Sequence, residues 1–292
     1  MDDTLMNLPN FVPMSDPGWH LVALVLMVSY GACFAFAGYF ALTSFQLSQR
    51  YRLVAILSMV VMVSAGLSLF REYSMWQSTF TYVADTGQYV PLLDGQSFSN
   101  VYRYGNWTIT VPLLLIQLPI AMGLARGQVH KRALRMSIAG IAMIWTGLVG
   151  QFGEVGDYGL LNLWGIISTL FFLWLLYEVW GVLKAGKALA PASLKGWPHN
   201  LLFYMLFTWG LYPIAYALPQ LGQTETIVFL QQLVFSTADI TTKLIYGVIL
   251  SRYCLRRSAL EGHVPAVQAL ADAGEVPLLV TDTQTVEAGT RL

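Results

Sequence analysis

The chain predicts an all-α membrane protein: a seven-transmembrane helix bundle with a short extracellular β-hairpin between the second and third helices. Three observations lead there. Of its 292 residues, 56% are hydrophobic and only 11% are charged, where soluble domains carry roughly a quarter charged residues. Mean hydropathy is +0.57. Apolar runs near the roughly 20 residues that a bilayer crossing needs fall at residues 19–45, 53–70, 101–124, 134–152, 160–183, 201–219 and 227–250. The connections between them alternate in charge. Arg50 and Arg52 follow the first run, and Arg126, His130, Lys131, Arg132 and Arg135 follow the third. Lys184, Lys187 and Lys195 follow the fifth, and Arg252, Arg256 and Arg257 the seventh. The opposite set is acidic: Asp2 and Asp3, then Glu72, Asp85 and Asp94, then Glu154 and Asp157, then Glu225. Basic connections stay in the cytoplasm, so the N-terminus is expected outside and the C-terminus inside.

The elements follow in order. The opening MDDTLMNLPNF has no basic region and does not read as a cleavable signal peptide. Residues 1–17 are expected as an extracellular segment, 18–258 as the bundle and 259–292 as a cytoplasmic segment. In the long connection 71–100, TFTYV and QYVPLL flank Asp85-Thr86-Gly87, a hairpin signal. Beyond the last run, GHVPAVQALADAG is expected as a short surface helix and VTDTQTVEAGTRL as a polar, disordered tail.

Several functional classes are excluded. The formal net charge is zero and no basic patch with interleaved aromatics suits nucleic acid. Cys33 and Cys254 give no disulfide framework, and His20, His130, His199 and His263 are too scattered for a metal cluster. What remains is chemistry inside the membrane.

The stretch LVFSTADITTKLIYGVIL (233–250) carries Asp239 and Lys243 four residues apart, which stacks them on one helical face. Ionisable groups in an apolar span mark function by default. A buried lysine loses its proton readily and condenses with aldehydes. A structural Asp–Lys pair tying two helices together also explains this stretch taken alone. The third run, VYRYGNWTITVPLLLIQLPIAMGL, places Arg103, Asn106, Thr110 and Gln117 on one side. Gln232, Ser236, Asp239 and Lys243 share a face of the seventh. Two such stripes are expected to face each other across a polar interior rather than lipid. Helix-to-helix hydrogen bonding would explain Thr110 or Gln117 singly. The Asn106–Thr108 match to a glycosylation acceptor is accidental inside a membrane helix.

RYGNWTITVPLLLIQ (103–117), WTGLVG (145–150), WGLYPIAY (209–216) and DITTK (239–243) together resemble the microbial rhodopsins across all seven runs. The resemblance implies all-trans retinal held covalently by Lys243 as a protonated Schiff base, with Asp239 as its counter-ion. It further implies a pocket of Trp107, Trp209, Tyr212, Pro213 and Tyr216, with Thr146, Gly147 and Trp164 contributing; Tyr216 stands where many relatives have tryptophan. The third-helix triplet Asn106, Thr110, Gln117 resembles the eubacterial light-driven chloride pumps, as do VMVSAGL (61–67), VGQFGEV (149–155) and HVPAVQAL (263–270). That subgroup implies an ion transporter, not an enzyme, in a bacterial inner membrane, assembled as a trimer or pentamer. Gly165 beside Trp164 resembles relatives that bind a carotenoid antenna, though glycine is also a common close-packing residue in membrane helices.

The chemistry agrees with the subgroup. Asn106 and Gln117 are neutral and neither can take a proton, so both ends of the usual proton relay are absent. Counting Arg103 and the Lys243 nitrogen against Asp239 alone leaves one positive charge. A chloride or other halide beside Asn106 and Thr110, both hydrogen-bond donors, would neutralise it. Entry is expected past Arg103, Asn100 and Gln232 and exit past Gln117, with Ser64 adding a hydroxyl. Outside-to-inside direction follows the resemblance. A photosensory receptor, a light-gated anion channel and an outward proton pump are the alternatives.

Overall fold

The computed structural model describes residues 7–92 and 97–275. The polar tail, Asp2, Asp3 and Asp94 lie outside the described residues. The first helix spans Asp16–Gln46, the second Gln49–Thr79, the third Val101–Ala121, the fourth Arg126–Gln151 and the fifth Tyr158–Leu189. The sixth runs through Trp197–Trp209 and, past a break at Gly210, Leu211–Ala217. The seventh comprises Glu225–Asp239, a π turn at Ile240–Ile245 and Tyr246–Leu260. Val264–Asp272 forms the short helix expected after the bundle. Seven helices therefore match the seven apolar runs, although only six are by length and composition apolar enough to cross a membrane. The third falls short because Arg103, Asn106, Thr110 and Gln117, all buried, interrupt it.

Local chemistry sets the helix ends. Ser15, Asp157 and Thr224 each cap a helix by accepting an N–H from the first turn, at Gly18, Leu160 and Ile227. Pro112 and Pro119 stand inside the third helix, tolerable where neighbouring helices satisfy the freed backbone groups. Successive helices pack side by side, and the seventh closes the ring against the first and second.

The hairpin forms as expected. β2 (Phe80–Val83) and β3 (Gln88–Pro91) pair antiparallel, with Val83 opposite Gln88. The connecting turn ends on Gly87 at φ +65°, a conformation that costs glycine nothing. One strand was not foreseen: β1 (Met14–Ser15) adds to β3, with Met14 opposite Tyr89. The described part of the N-terminal segment folds back into the mouth of the bundle. Leu8, Val12 and Met14 are buried there, and Trp19 stacks on Tyr89 with centroids 4.2 Å apart.

The second helix brings the main correction. It does not end near Phe70 but continues to Thr79, and Leu69, Glu72, Met75, Trp76 and Thr79 are buried along one face. Glu72 is therefore an interior residue and not part of an acidic outer loop.

Candidate functional site

The seventh helix positions the central pair. Its π turn spans Lys243, and such turns gather at functional positions. Thr241 and Thr242 donate back to carbonyls at Thr237 and Ala238, while Tyr204 on the sixth helix donates to the Thr241 carbonyl at 2.5 Å. The pair contacted across this turn, Lys243 and Asp239, is in direct contact and each residue is 1% exposed.

Asp239 is solvated by protein donors. Its Oδ2 accepts from Arg103 Nη1 at 2.8 Å. Its Oδ1 accepts from Trp107 Nε1 and Tyr212 Oη, each at 2.9 Å, and from Lys243 Nζ. The Tyr212 hydroxyl also lies 3.0 Å from Lys243 Nζ and 2.9 Å from Thr242 Oγ1. An acceptor-only group with four donors is an ionised carboxylate held in one orientation.

Arg103 and Trp107, one turn apart, share a face and both reach Asp239. Asn106 precedes Trp107 and meets the second helix. Ser64 donates to its Oδ1 at 2.9 Å, and no acceptor among the described residues takes its amide nitrogen. Thr110 lies one turn further and donates to the Asn106 backbone carbonyl at 2.9 Å. Its proton is thereby committed to its own helix, which corrects the expectation of a free hydroxyl donor. Gln117 is fully buried; Ser58 donates to its Oε1 at 3.0 Å, and its Nε2 has no partner among the described residues.

Glu72 alters the electrostatics. Its Oε2 stands 2.7 Å from Arg103 Nη2, with the two side chains 0% and 1% exposed. The buried cluster thus holds Arg103 and Lys243 against Asp239 and Glu72. With both carboxylates ionised the charges balance, where the sequence count left one positive. The signal was present: continuing the helical spacing from Leu69 through Met75 and Trp76 puts Glu72 on the inner face.

Toward the hairpin end the polar chain continues. Arg103 Nη2 donates to Gln232 Oε1 at 3.1 Å, and Gln232 Nε2 approaches Asn100 Oδ1 at 3.5 Å. The Asn100 N–H donates to Asn7 Oδ1, and Asn7 Nδ2 donates to Glu154 at 2.8 Å. Glu154 also accepts from the Leu8 N–H and Gln231 Nε2. Asn7, Glu154 and Gln231 are functional candidates that sequence reasoning missed, because only the folded-back N-terminus assembles them. Burial pushes the Glu154 carboxyl above its ordinary value, against the pull of the Leu8, Gln231 and Asn7 donors. An acid that is harder to ionise in place than in the unfolded chain stabilises the fold less as pH rises from the ordinary carboxylate range through its raised value. Glu154→Gln is expected to remove that decline, read as thermal midpoint against pH beside the unchanged protein.

On the other side of Lys243 lies a cavity of about 300 Å³, at the small end of roughly 300–1,000 Å³ ligand pockets. Its lining includes Trp107, Trp209, Tyr212, Pro213, Tyr216 and Gly147, and Lys243 forms one end. An apolar, aromatic slot ended by a buried amine fits retinal, a long apolar aldehyde. Thr146 and Trp164 are not in the lining, and the Thr146 hydroxyl donates to Ala142 O. Gly165 is in the wall, where a Cβ would come within 3.0 Å of the Tyr216 ring. Leu173, also in the wall, is 56% exposed, so the cavity reaches the bundle surface along the fifth helix.

Residues 20–256 match the family model described as bacteriorhodopsin-like protein. A green-light absorbing proteorhodopsin from a gamma-proteobacterium is 24% identical over 162 residues, 54% of this chain, and the chain spans 63% of that relative's length. The crystal structure of xanthorhodopsin, titled a light-driven ion pump with dual chromophore, superposes with a TM-score of 0.77 at 29% identity. It covers 86% of this chain and 98% of its own. A thermophilic rhodopsin gives 0.79 at 28% identity, with the same coverage of 86% and 98%.

Proposed function

Since the chain belongs to the bacteriorhodopsin-like family, we propose that it is a light-driven inward halide pump, with chloride as its substrate, in a bacterial inner membrane. The observation that carries this reading is Asn106. The third-helix residue beside Trp107, which itself holds Asp239, is an amide whose oxygen is held by Ser64, leaving an N–H donor for a ligand. Such a group recognises an anion and cannot accept a proton. Gln117, also neutral, presents its unpartnered Nε2 further along the same helix, the next donor for an anion moving away from the hairpin end.

Retinal, linked to Lys243 Nζ, supplies visible absorption and a light-driven change in the direction of the N–H on that nitrogen. Trp107, Trp209, Tyr212, Pro213 and Tyr216 would hold it along its length. Asp239 sets a carboxylate against the Lys243 nitrogen and is itself held by Arg103, Trp107 and Tyr212. Arg103, Gln232 and Asn100 line the approach from the hairpin end, which the positive-inside pattern puts outside. The opening at Gly165 and Leu173 supports a second, carotenoid chromophore lying against the fifth helix. Assembly as a trimer or pentamer follows the resemblance.

One observation favours a second reading, outward proton pumping: Glu72 gives the cluster the second carboxylate that the triplet lacks. Illuminating cells in sodium chloride and in sodium sulfate, with external pH followed, separates the two. Inward chloride transport is expected to alkalinise the medium, more strongly with a protonophore, and not at all in sulfate. Acidification that the protonophore abolishes would overturn the halide reading. Uptake against a gradient separates a pump from a channel. Asn106→Asp is expected to weaken the halide dependence of the absorption band at least tenfold, because the new carboxylate puts a negative charge at the donor site and repels the anion; a tenfold loss is about 1.4 kcal/mol. An unchanged dependence would remove Asn106 from the site.

A further inference from the structure

We propose that Glu72 is a proton site coupled to the anion site, so that a halide and one proton enter the buried cluster together. The proposal rests on the halide reading and deepens it.

Two observations carry it. The first is charge balance. Arg103 and Lys243 face Asp239 and Glu72, all at most 1% exposed, and with both carboxylates ionised the sum is zero. A bare anion added there leaves one negative charge uncompensated in a medium that solvates it poorly. A halide and a proton added together leave the sum unchanged. The second is the difference between the two carboxylates. Asp239 takes donors from Arg103, Trp107, Tyr212 and Lys243. Among the described residues Glu72 pairs only with Arg103, and neither of its oxygens has a hydrogen-bond partner in good geometry. A buried carboxylate short of donors gives up its charge at least cost, so the proton goes to Glu72 and not to Asp239. The charged groups acting on it are Arg103 from the third helix and Asp239 and Lys243 from the seventh; Gln232 and Ser236, which share the Arg103 guanidinium, are neutral.

Protonating Glu72 also releases Arg103. The guanidinium is divided between Glu72 and Asp239. With Glu72 neutral, Arg103 has charge to spare on the path by which the anion arrives. When the halide leaves, the Glu72 proton leaves, and the Arg103–Glu72 pair re-forms. Glu72 touches neither the cavity lining nor Lys243 directly and acts through Arg103, which makes it a positioning residue.

The test uses the full-length, retinal-loaded protein in the dark in weak buffer, with sodium chloride or sodium bromide added against sodium sulfate. About one proton is expected to be taken up per halide bound, read by a pH electrode, while the absorption band reports binding. The apparent halide Kd should rise about tenfold per pH unit once Glu72 ionises. Glu72→Gln is expected to keep the halide-dependent band and lose both the proton uptake and the pH dependence. Should that variant fail to fold, Glu72→Asp serves in its place and moves the pH range of the coupling. Halide binding with no proton uptake and a pH-independent Kd overturns the proposal and leaves the halide reading intact, as does coupling that survives in Glu72→Gln. No halide-dependent change at any pH overturns both. Thermal midpoints of the retinal-free protein in chloride and in sulfate give the same comparison without the chromophore: halide protection is expected to fade as pH rises, except in Glu72→Gln.

Discussion

Lys243→Ala gives a protein that folds yet develops no visible absorption band on addition of retinal. Lys243 Nζ is the amine at the end of the 300 Å³ cavity, and no second lysine lines it among the described residues. The loss of the band is therefore expected to be complete. Folding is a separate matter, because the substitution leaves Asp239 with its Arg103, Trp107 and Tyr212 donors. Circular dichroism should report the same helix content as the unchanged protein. A retained visible band would show that the attachment point lies elsewhere.

Arg103→Gln is expected to be the most destabilising single change in the polar interior. Arg103 bridges Glu72 at 2.7 Å and Asp239 at 2.8 Å, with each partner at most 1% exposed. Its removal leaves two carboxylates facing the single cation of Lys243, and breaking a buried pair in this way costs about 3–5 kcal/mol. The second variant sharpens the claim. Glu72→Gln in the Arg103→Gln background removes the surplus negative charge, and the double variant should recover most of the lost stability. The coupling energy from the four proteins, measured by chemical or thermal denaturation, isolates the Arg103–Glu72 interaction. Losses of the two single variants that simply add in the double variant would mean that the contact carries no net energy.

Much of this protein was legible along the chain, and particular residues explain why. Apolar runs and the alternation of basic and acidic connections are local properties, so seven helices and their order followed from counting. Asp239 and Lys243 were legible because their spacing is one helical turn. The hairpin at Phe80–Pro91 announced itself through Asp85-Thr86-Gly87, since only certain residues accept the turn. The third helix was counted among the apolar runs, and its polar stripe was read from the helical period, although it falls short of the other six in apolar character.

Other features are decided across distance. Glu72 follows an apolar run and precedes a loop, and nothing local says whether the helix stops before it; packing of Leu69, Met75 and Trp76 against the bundle carries the helix on and turns Glu72 inward. Asn7 and Glu154 lie far apart in the chain and meet only because the N-terminal segment folds back to pair with β3. Thr110 is a local case by contrast, since its own helix supplies the Asn106 carbonyl four residues back. The sequence by itself determined which helices form, which faces are polar and where the reactive lysine stands, because those follow from hydropathy and helical period. Only the tertiary structure decided the charge of the buried cluster, because electrostatic balance depends on which ionised groups come within a few ångströms across helices, and Glu72 beside Arg103 changes that sum from one to zero.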